Sequence, residues 1–161
     1  ETGLVGIDTG RPNAIAEEAI LAGAIPELAA YGTLKREVRY GRNSRIDIYL
    51  SDDARPDCYV EIKNVHLERG GWAEFPDAKT ARGAKHLVEL GDMVDAGARA
   101  VMLYIVQRMD CAGFRLAEDI DPAYAAAYRL ARDRGVETLC YDCAISLEGI
   151  ELRQATPVAI P

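Results

Sequence analysis

Ser44-Arg45-Ile46-Asp47-Ile48-Tyr49-Leu50 and, after a polar interval, Cys58-Tyr59-Val60-Glu61-Ile62-Lys63-Asn64-Val65 are the two stretches that decide how this chain folds. Both alternate apolar and polar residues, the period of a strand with one face on a core. On the second strand Val60 and Ile62 therefore face inward, while Glu61 and Lys63 project together. Asp47 lies 14 positions before Glu61, a separation that suits two adjacent antiparallel strands. A pair of carboxylates can hold a hard cation such as Mg²⁺, and an ammonium beside them can position an attacking water. Packing explains that combination poorly, because carboxylates among apolar neighbours are costly without a partner; the bland alternative is an Asp–Lys–Glu charge cluster at a sheet end.

Elements read outward from this pair. Before it, Asn13 is expected to cap a helix running to about Gly23, with Ile15, Glu18, Ala19 and Ala22 at helical spacing. That puts Glu18 on or beside the buried stripe. Strands are expected near Leu34–Tyr40, Arg45–Leu50 and Cys58–Leu67, joined by Gly41-Arg42-Asn43-Ser44 and by the polar stretch Ser51–Asp57, an antiparallel meander. Beyond a loop marked by Gly70-Gly71 and Pro76, Thr80 caps a helix over Ala81–Ala96. The near-continuous apolar run in Arg99–Gln107 suits a central strand covered on both faces. Asp121-Pro122 opens a helix to Arg134, Val136–Cys143 is a further strand, and Ile145–Leu152 has the composition of a closing hairpin. Helix, three strands, helix, strand, helix, strand is an α/β fold, a mixed central sheet with flanking helices.

The chain of 161 residues, 49% of them apolar, is long enough for one domain with a real core. It has no apolar run of membrane-spanning length and no secretory signal, so a cytoplasmic location is expected and no membrane partner. Four scattered cysteines do not make a disulfide scaffold. Cys140-Tyr141-Asp142-Cys143 lacks the second ligand pair of a structural zinc site. The net charge of −7 argues against a nonspecific polyanion binder, but the charge is uneven. Lys35–Arg45 carries +4 and Lys79–His86 carries +3, leaving −14 for the remainder. Both basic segments flank the Asp47–Lys63 stretch. Phe75-Pro76-Asp77-Ala78-Lys79-Thr80 with Arg82, Lys85 and His86 is a candidate phosphate-gripping loop and helix start, and Arg45 a candidate phosphate contact. His86 is equally a candidate acid or base, or a surface residue. Gln107-Arg108 is a polar pair at the end of the apolar strand.

Helix, β-meander, helix, strand, with Asp on the second strand and Glu-x-Lys on the third, resembles the PD-(D/E)xK nuclease fold, which is restriction-endonuclease-like. That resemblance implies metal ligation by Asp47 and Glu61, a backbone carbonyl ligand from Ile62, and catalysis by Lys63 orienting or activating water. It also implies a further acid, Glu18 on the first helix or, as its rival, Glu37 on the first strand. Pro12-Asn13, Glu18-Ala19-Ile20, Glu37-Val38, Tyr40-Gly41, Phe75-Pro76-Asp77-Ala78, Arg82-Gly83, Lys85-His86-Leu87 and Gly135-Val136-Glu137 add a closer likeness, along nearly the whole chain from Gly3 to Pro161. With them the chain is similar to the sugar fermentation stimulation protein A family. Members of that family carry an amino-terminal barrel similar to an OB-fold ahead of the point where this chain begins. The resemblance implies a bacterial or archaeal cytoplasmic protein that binds DNA, of which residues 1–161 are a single nuclease-like, carboxy-terminal domain. The expected function is phosphodiester hydrolysis with Mg²⁺ or Mn²⁺ on DNA, with RNA as the other candidate substrate. The alternative is a catalytically silent DNA-binding regulator that retains the metal cage. Nothing in the sequence sets an oligomeric state.

Overall fold

Every residue of the strand β6, Arg99–Val106, except the first is buried, and its side chains divide cleanly between two cores. Met102, Tyr104 and Val106 join one cluster, Val101, Leu103 and Ile105 the other. The computed structural model describes residues 5–6 and 10–159, so Gly3, Leu4 and Ile7 of the opening stretch lie outside the described residues. The six-stranded sheet has the order β1-β2-β3-β6-β8-β9, with β1 Thr33–Tyr40, β2 Ser44–Asp52, β3 Arg55–Val65, β8 Glu137–Ile145 and β9 Ile150–Ala155. β3, β6 and β8 run parallel, and the outer pairs are antiparallel. Helix α1, Arg11–Leu21, covers one face; α2, Ala81–Asp95, and α3, Pro122–Asp133, cover the other.

Capping chemistry fixes the two carboxy-proximal helices. Thr80 Oγ1 accepts the Gly83 N–H at 3.0 Å, and Asp121 Oδ1 accepts the Tyr124 N–H at 3.0 Å. Asp121 Oδ2 also accepts the Thr80 N–H at 2.8 Å, so one carboxylate ties the starts of α2 and α3 together. The amino-terminal helix departs from expectation. It begins at Arg11 after Gly10, with no side-chain cap, and Asn13 lies inside it. The amide of Asn13 is spent elsewhere, on Asp47.

A second sheet, β4-β5-β7, was not anticipated from sequence. It consists of β4 Leu67–Arg69, β5 Trp72–Phe75 and β7 Gly113–Leu116, strands of three or four residues, too short to show an alternation. Gly70 and Gly71, both at positive φ, make the β4–β5 turn rather than a loop. The small sheet seats Phe75 and Phe114 on Tyr104, with ring centroids 5.7 and 4.4 Å away. Among the described residues no helix is long and apolar enough to cross a membrane.

Candidate metal centre

The first two strands change sides at one rung. Leu34, Ile48 and Leu50 pack in the α1-side core and Arg36 reaches Glu17 of α1, whereas Val38, Tyr40 and Ile46 pack in the α2-side core and Ser44 reaches Glu89 of α2. All are even-numbered, so simple alternation would have kept them on one face. The switch falls at Glu37 and Asp47. Arg36 pairs with Ile48 and Val38 with Ile46, leaving Glu37 and Asp47 opposite each other but outside the ladder. Glu37 adopts φ +53°, a left-handed conformation that costs a non-glycine residue roughly 1–3 kcal/mol and tends to occur at functional sites.

On the other side of β2 the ladder with β3 stops at Ile48–Val60, and the Asp47 carboxylate fills the gap that opens. Its Oδ2 accepts the Ile62 N–H at 2.7 Å, and its Oδ1 accepts from Asn13 Nδ2 at 2.9 Å. Glu61 stands beside it, 3% exposed. Its Oε1 accepts from Lys63 Nζ at 2.7 Å and is paired with His86 Nδ1. Arg82 Nε donates to His86 Nε2 at 3.4 Å, which puts the ring proton on Nδ1, facing Glu61. Glu61 Oε2 is buried and has no hydrogen-bond partner. The buried Tyr40 hydroxyl also lacks a partner.

The two carboxyls are driven apart electrostatically. Burial, and then the Glu61 charge, lift Asp47 above the ordinary aspartate value, against the opposing pull of the Ile62 N–H, Asn13 and Lys63. Burial alone would raise Glu61 too, but the hydrogen bond from His86 and the Lys63 charge outweigh it and hold that carboxyl below its usual value. Burial and then the charges of Glu61, Glu89 and Asp47 push the Tyr40 phenol upward. A divalent cation fits this arrangement. It would take the unpartnered Glu61 Oε2 and relieve the repulsion that disfavours ionised Asp47. Among the described residues no three His, Cys, Asp or Glu side chains converge as a metal cage. The remaining ligands would be a backbone oxygen, for which the Ile62 carbonyl is the candidate, and water, as a hard oxygen-seeking cation accepts.

The other anticipated residues separate. Glu18, five residues beyond Asn13 and so about 140° around α1, lines a cleft of about 240 Å³ against Ile150, Glu151 and Leu152 of β9, away from Asp47. Glu17, one turn beyond Asn13, is the helix acid on the β1 side, and it is paired with Arg36 at 3.1 Å. Glu37 shares the Asp47 rung but is exposed. His86 is no phosphate contact: Gly83, His86, Leu87 and Leu90 form the buried stripe of α2, and that spacing turns the imidazole inward to Glu61. At the start of α2 two amide protons are already accepted, that of Thr80 by Asp121 and that of Gly83 by the Thr80 hydroxyl. Arg82 is exposed but lies one turn from His86 on the same side of α2, and Lys85 Nζ donates to the Arg42 carbonyl at 3.0 Å and Ser44 Oγ at 3.2 Å. Arg45 is exposed, across from Arg39 on β1. Gln107 Nε2 donates to Asn64 Oδ1 at 2.9 Å, next to Lys63 in sequence. Sequence reasoning missed Asn13, Tyr40 and Glu89 as neighbours of the site; no spacing signal distinguishes them from a cap, a core aromatic and a surface acid.

Residues 10–149 match the family model described as the sugar fermentation stimulation protein RE domain. The chain is 59% identical over 149 residues to the sugar fermentation stimulation protein homolog of Paramagnetospirillum magneticum, covering 92% of this chain and 63% of that protein. It is 58% identical over 156 residues to the homolog of Roseobacter denitrificans (96% and 66%), and 62% identical over 148 residues to that of Rhodospirillum centenum (91% and 64%). The chain thus spans a little under two thirds of the length of these relatives. The solved structure of Pyrococcus furiosus SfsA in complex with Ca²⁺ superposes with a TM-score of 0.90 at 30% identity, over 98% of this chain and 68% of that one. The fold is the nuclease-like mixed sheet expected from sequence.

Proposed function

The chain belongs to the sugar fermentation stimulation protein family, and on that premise we propose that Asp47 and Glu61 form the divalent-metal centre of a DNA-binding, phosphodiester-hydrolysing domain. The single observation that carries this reading is the buried, unpartnered Glu61 Oε2 beside a second carboxyl that burial and Glu61 keep reluctant to ionise. Mg²⁺ or Mn²⁺ is the proposed cofactor, and the Ca²⁺ held by the Pyrococcus furiosus relative supports a hard cation. Asp47, Glu61 and the Ile62 carbonyl would hold it. When bound, it supplies Lewis-acid stabilisation of the charge that develops on the phosphate and leaving oxygens.

The chain's own residues do the rest. Lys63, ion-paired to Glu61, donates a hydrogen bond that orients the attacking water or a phosphate oxygen. His86 fixes the rotamer of Glu61 from behind and does not touch substrate. Asn13 and the Ile62 N–H hold Asp47 in the gap between β2 and β3. A second reading, DNA binding without turnover, is favoured by the fact that only two acidic side chains meet at the centre among the described residues.

The test is cleavage of single-stranded and duplex DNA, and of RNA, with Mg²⁺ or Mn²⁺. Hydrolysis that falls at least 100-fold in Lys63→Ala, with Mn²⁺ affinity and fold retained, supports the enzyme. Retention on DNA with no hydrolysis of any substrate supports the silent binder. Absence of both contradicts the proposal.

A further inference from the structure

Acids outnumber bases 26 to 19 in this chain, so an arginine readily finds a carboxylate. Arg36, Arg69, Arg99, Arg108, Arg115, Arg129, Arg132, Arg134 and Arg153 all do. The β1–β2 hairpin is different. Among the described residues Arg39, Arg42 and Arg45 have no carboxylate within ion-pair distance, as is also true of Arg55 and Arg82, which turn instead to the Ala29 carbonyl and to His86. What sets the hairpin apart is that Arg39 and Arg45 are cross-strand partners in the antiparallel register. Like charges directly opposite each other on neighbouring strands destabilise a sheet. Such a rung is explained by an anionic ligand that the two guanidiniums share.

The hairpin is also built to stay in place. Its turn is held by Glu89 of α2, a buried carboxylate that accepts the Arg42 N–H at 2.9 Å and the Ser44 hydroxyl at 2.5 Å. Gly41, at φ +54°, brings the turn so close that a Cβ there would lie 2.9 Å from Glu89 Oε1. Arg39, Asn43, Ser44 and Arg45 line a cleft of about 210 Å³, several times the roughly 30 Å³ share of one water and so ample for a phosphate group. The Arg39–Arg45 rung lies two residues along both strands from the Glu37–Asp47 rung, a distance of about 7 Å.

We propose that the Arg39–Arg45 rung is a phosphodiester-binding site that grips the backbone of a polynucleotide beside the Asp47–Glu61 centre. It rests on the polynucleotide reading above and goes beyond it, by assigning the grip to the hairpin rather than to α2. The planar fork of each guanidinium matches two phosphate oxygens, and a pair of forks facing one cleft fixes where the backbone runs. No bond is made or broken in this step.

The experiment is fluorescence anisotropy of a labelled DNA oligonucleotide, single-stranded and duplex, titrated with the whole chain in Ca²⁺ across a salt series. Calorimetric Ca²⁺ binding is measured in parallel. Removing one cationic side chain from a phosphate lowers the slope of log affinity against log salt by about one. Arg39→Ala/Arg45→Ala is therefore expected to lower it by about two, to weaken binding tenfold or more at low salt, and to leave Ca²⁺ affinity unchanged. Arg39→Lys/Arg45→Lys is expected to keep the slope and lose part of the affinity, because the charge remains and the forks do not. Both positions are exposed and mutually repulsive, so the alanine variant is expected to unfold no earlier than the parent, which circular dichroism checks. Unchanged affinity and slope in the alanine variant, with the parent binding DNA, would overturn the clamp and leave the polynucleotide reading standing. A parent that binds Ca²⁺ but no oligonucleotide would overturn both. Inorganic phosphate displacing the oligonucleotide at equal concentration would make the rung a small-anion site and overturn the clamp alone.

Discussion

Two buried glutamates sit on strands of this molecule and have opposite surroundings. Glu74, on the small sheet, is 1% exposed and fully answered: Arg69 pairs with its Oε2, and Arg115 donates to its Oε1 at 2.7 Å. Glu61, on the main sheet and 3% exposed, has Lys63 and His86 crowded onto Oε1 and nothing on Oε2. The first is an electrostatic rivet between β4, β5 and β7. The second is an unbalanced charge beside another carboxylate, an arrangement that costs stability unless something else completes it. Burial of an acid alone does not separate the two; the unpartnered Oε2 of Glu61 beside a second carboxyl does.

Substitutions can break that comparison. The largest difference is expected in metal linkage. Mn²⁺ at about 100 times its Kd adds ~2.7 kcal/mol to the parent. Unfolding followed by calorimetry should show that gain lost in Glu61→Gln and intact in Glu74→Ala. If Glu74→Ala also abolished it, the two glutamates would not differ in kind. The next effect is structural. Glu74→Ala leaves Arg115 without its carboxylate while Arg69 keeps Asp119 at 2.7 Å, and since both guanidiniums are about 40% exposed they rehydrate, so the loss is about 2 kcal/mol rather than more. Denaturant unfolding without metal measures it.

The smallest effect has the opposite sign. Asp47 ionises less readily in the folded chain than in the unfolded one, so its charge opposes folding at neutral pH. Asp47→Asn keeps an acceptor for the Ile62 N–H and removes the charge. It is expected to raise the metal-free unfolding midpoint at pH 7, read by calorimetry. The gain should shrink as pH falls and Asp47 in the parent takes up its proton. A variant less stable than the parent at pH 7 would contradict the electrostatic reading of the centre.

Much of the fold was legible in the sequence because its signals are local. Thr80 and Asp121 announced their helices, the apolar run after Arg99 announced the central strand, and Asp47 and Glu61-x-Lys63 announced two facing strands. The site was less legible because its geometry depends on a fault in the pattern. Ile46 and Ile48 look alike in sequence, yet they face different cores, and the turnover between them is what swings Asp47 into the gap beside β3. Asn13 has the composition of a cap but sits inside α1, because the helix starts earlier, at Arg11. Glu18 and His86 were misplaced by helical phase: a rotation of one residue, about 100°, separates Glu17 from Glu18 and inward His86 from outward Lys85. The hairpin anchor Glu89 left no trace, since its partners lie more than 40 positions away.

Crystals of this chain grown with Mn²⁺, with diffraction data collected at the manganese absorption edge, test the metal centre most directly. One anomalous peak between Asp47 and Glu61 Oε2, within about 2.0–2.3 Å of both carboxylates, is the expected result. Mn²⁺ at saturating concentration with no peak there, or bound only elsewhere, would contradict it.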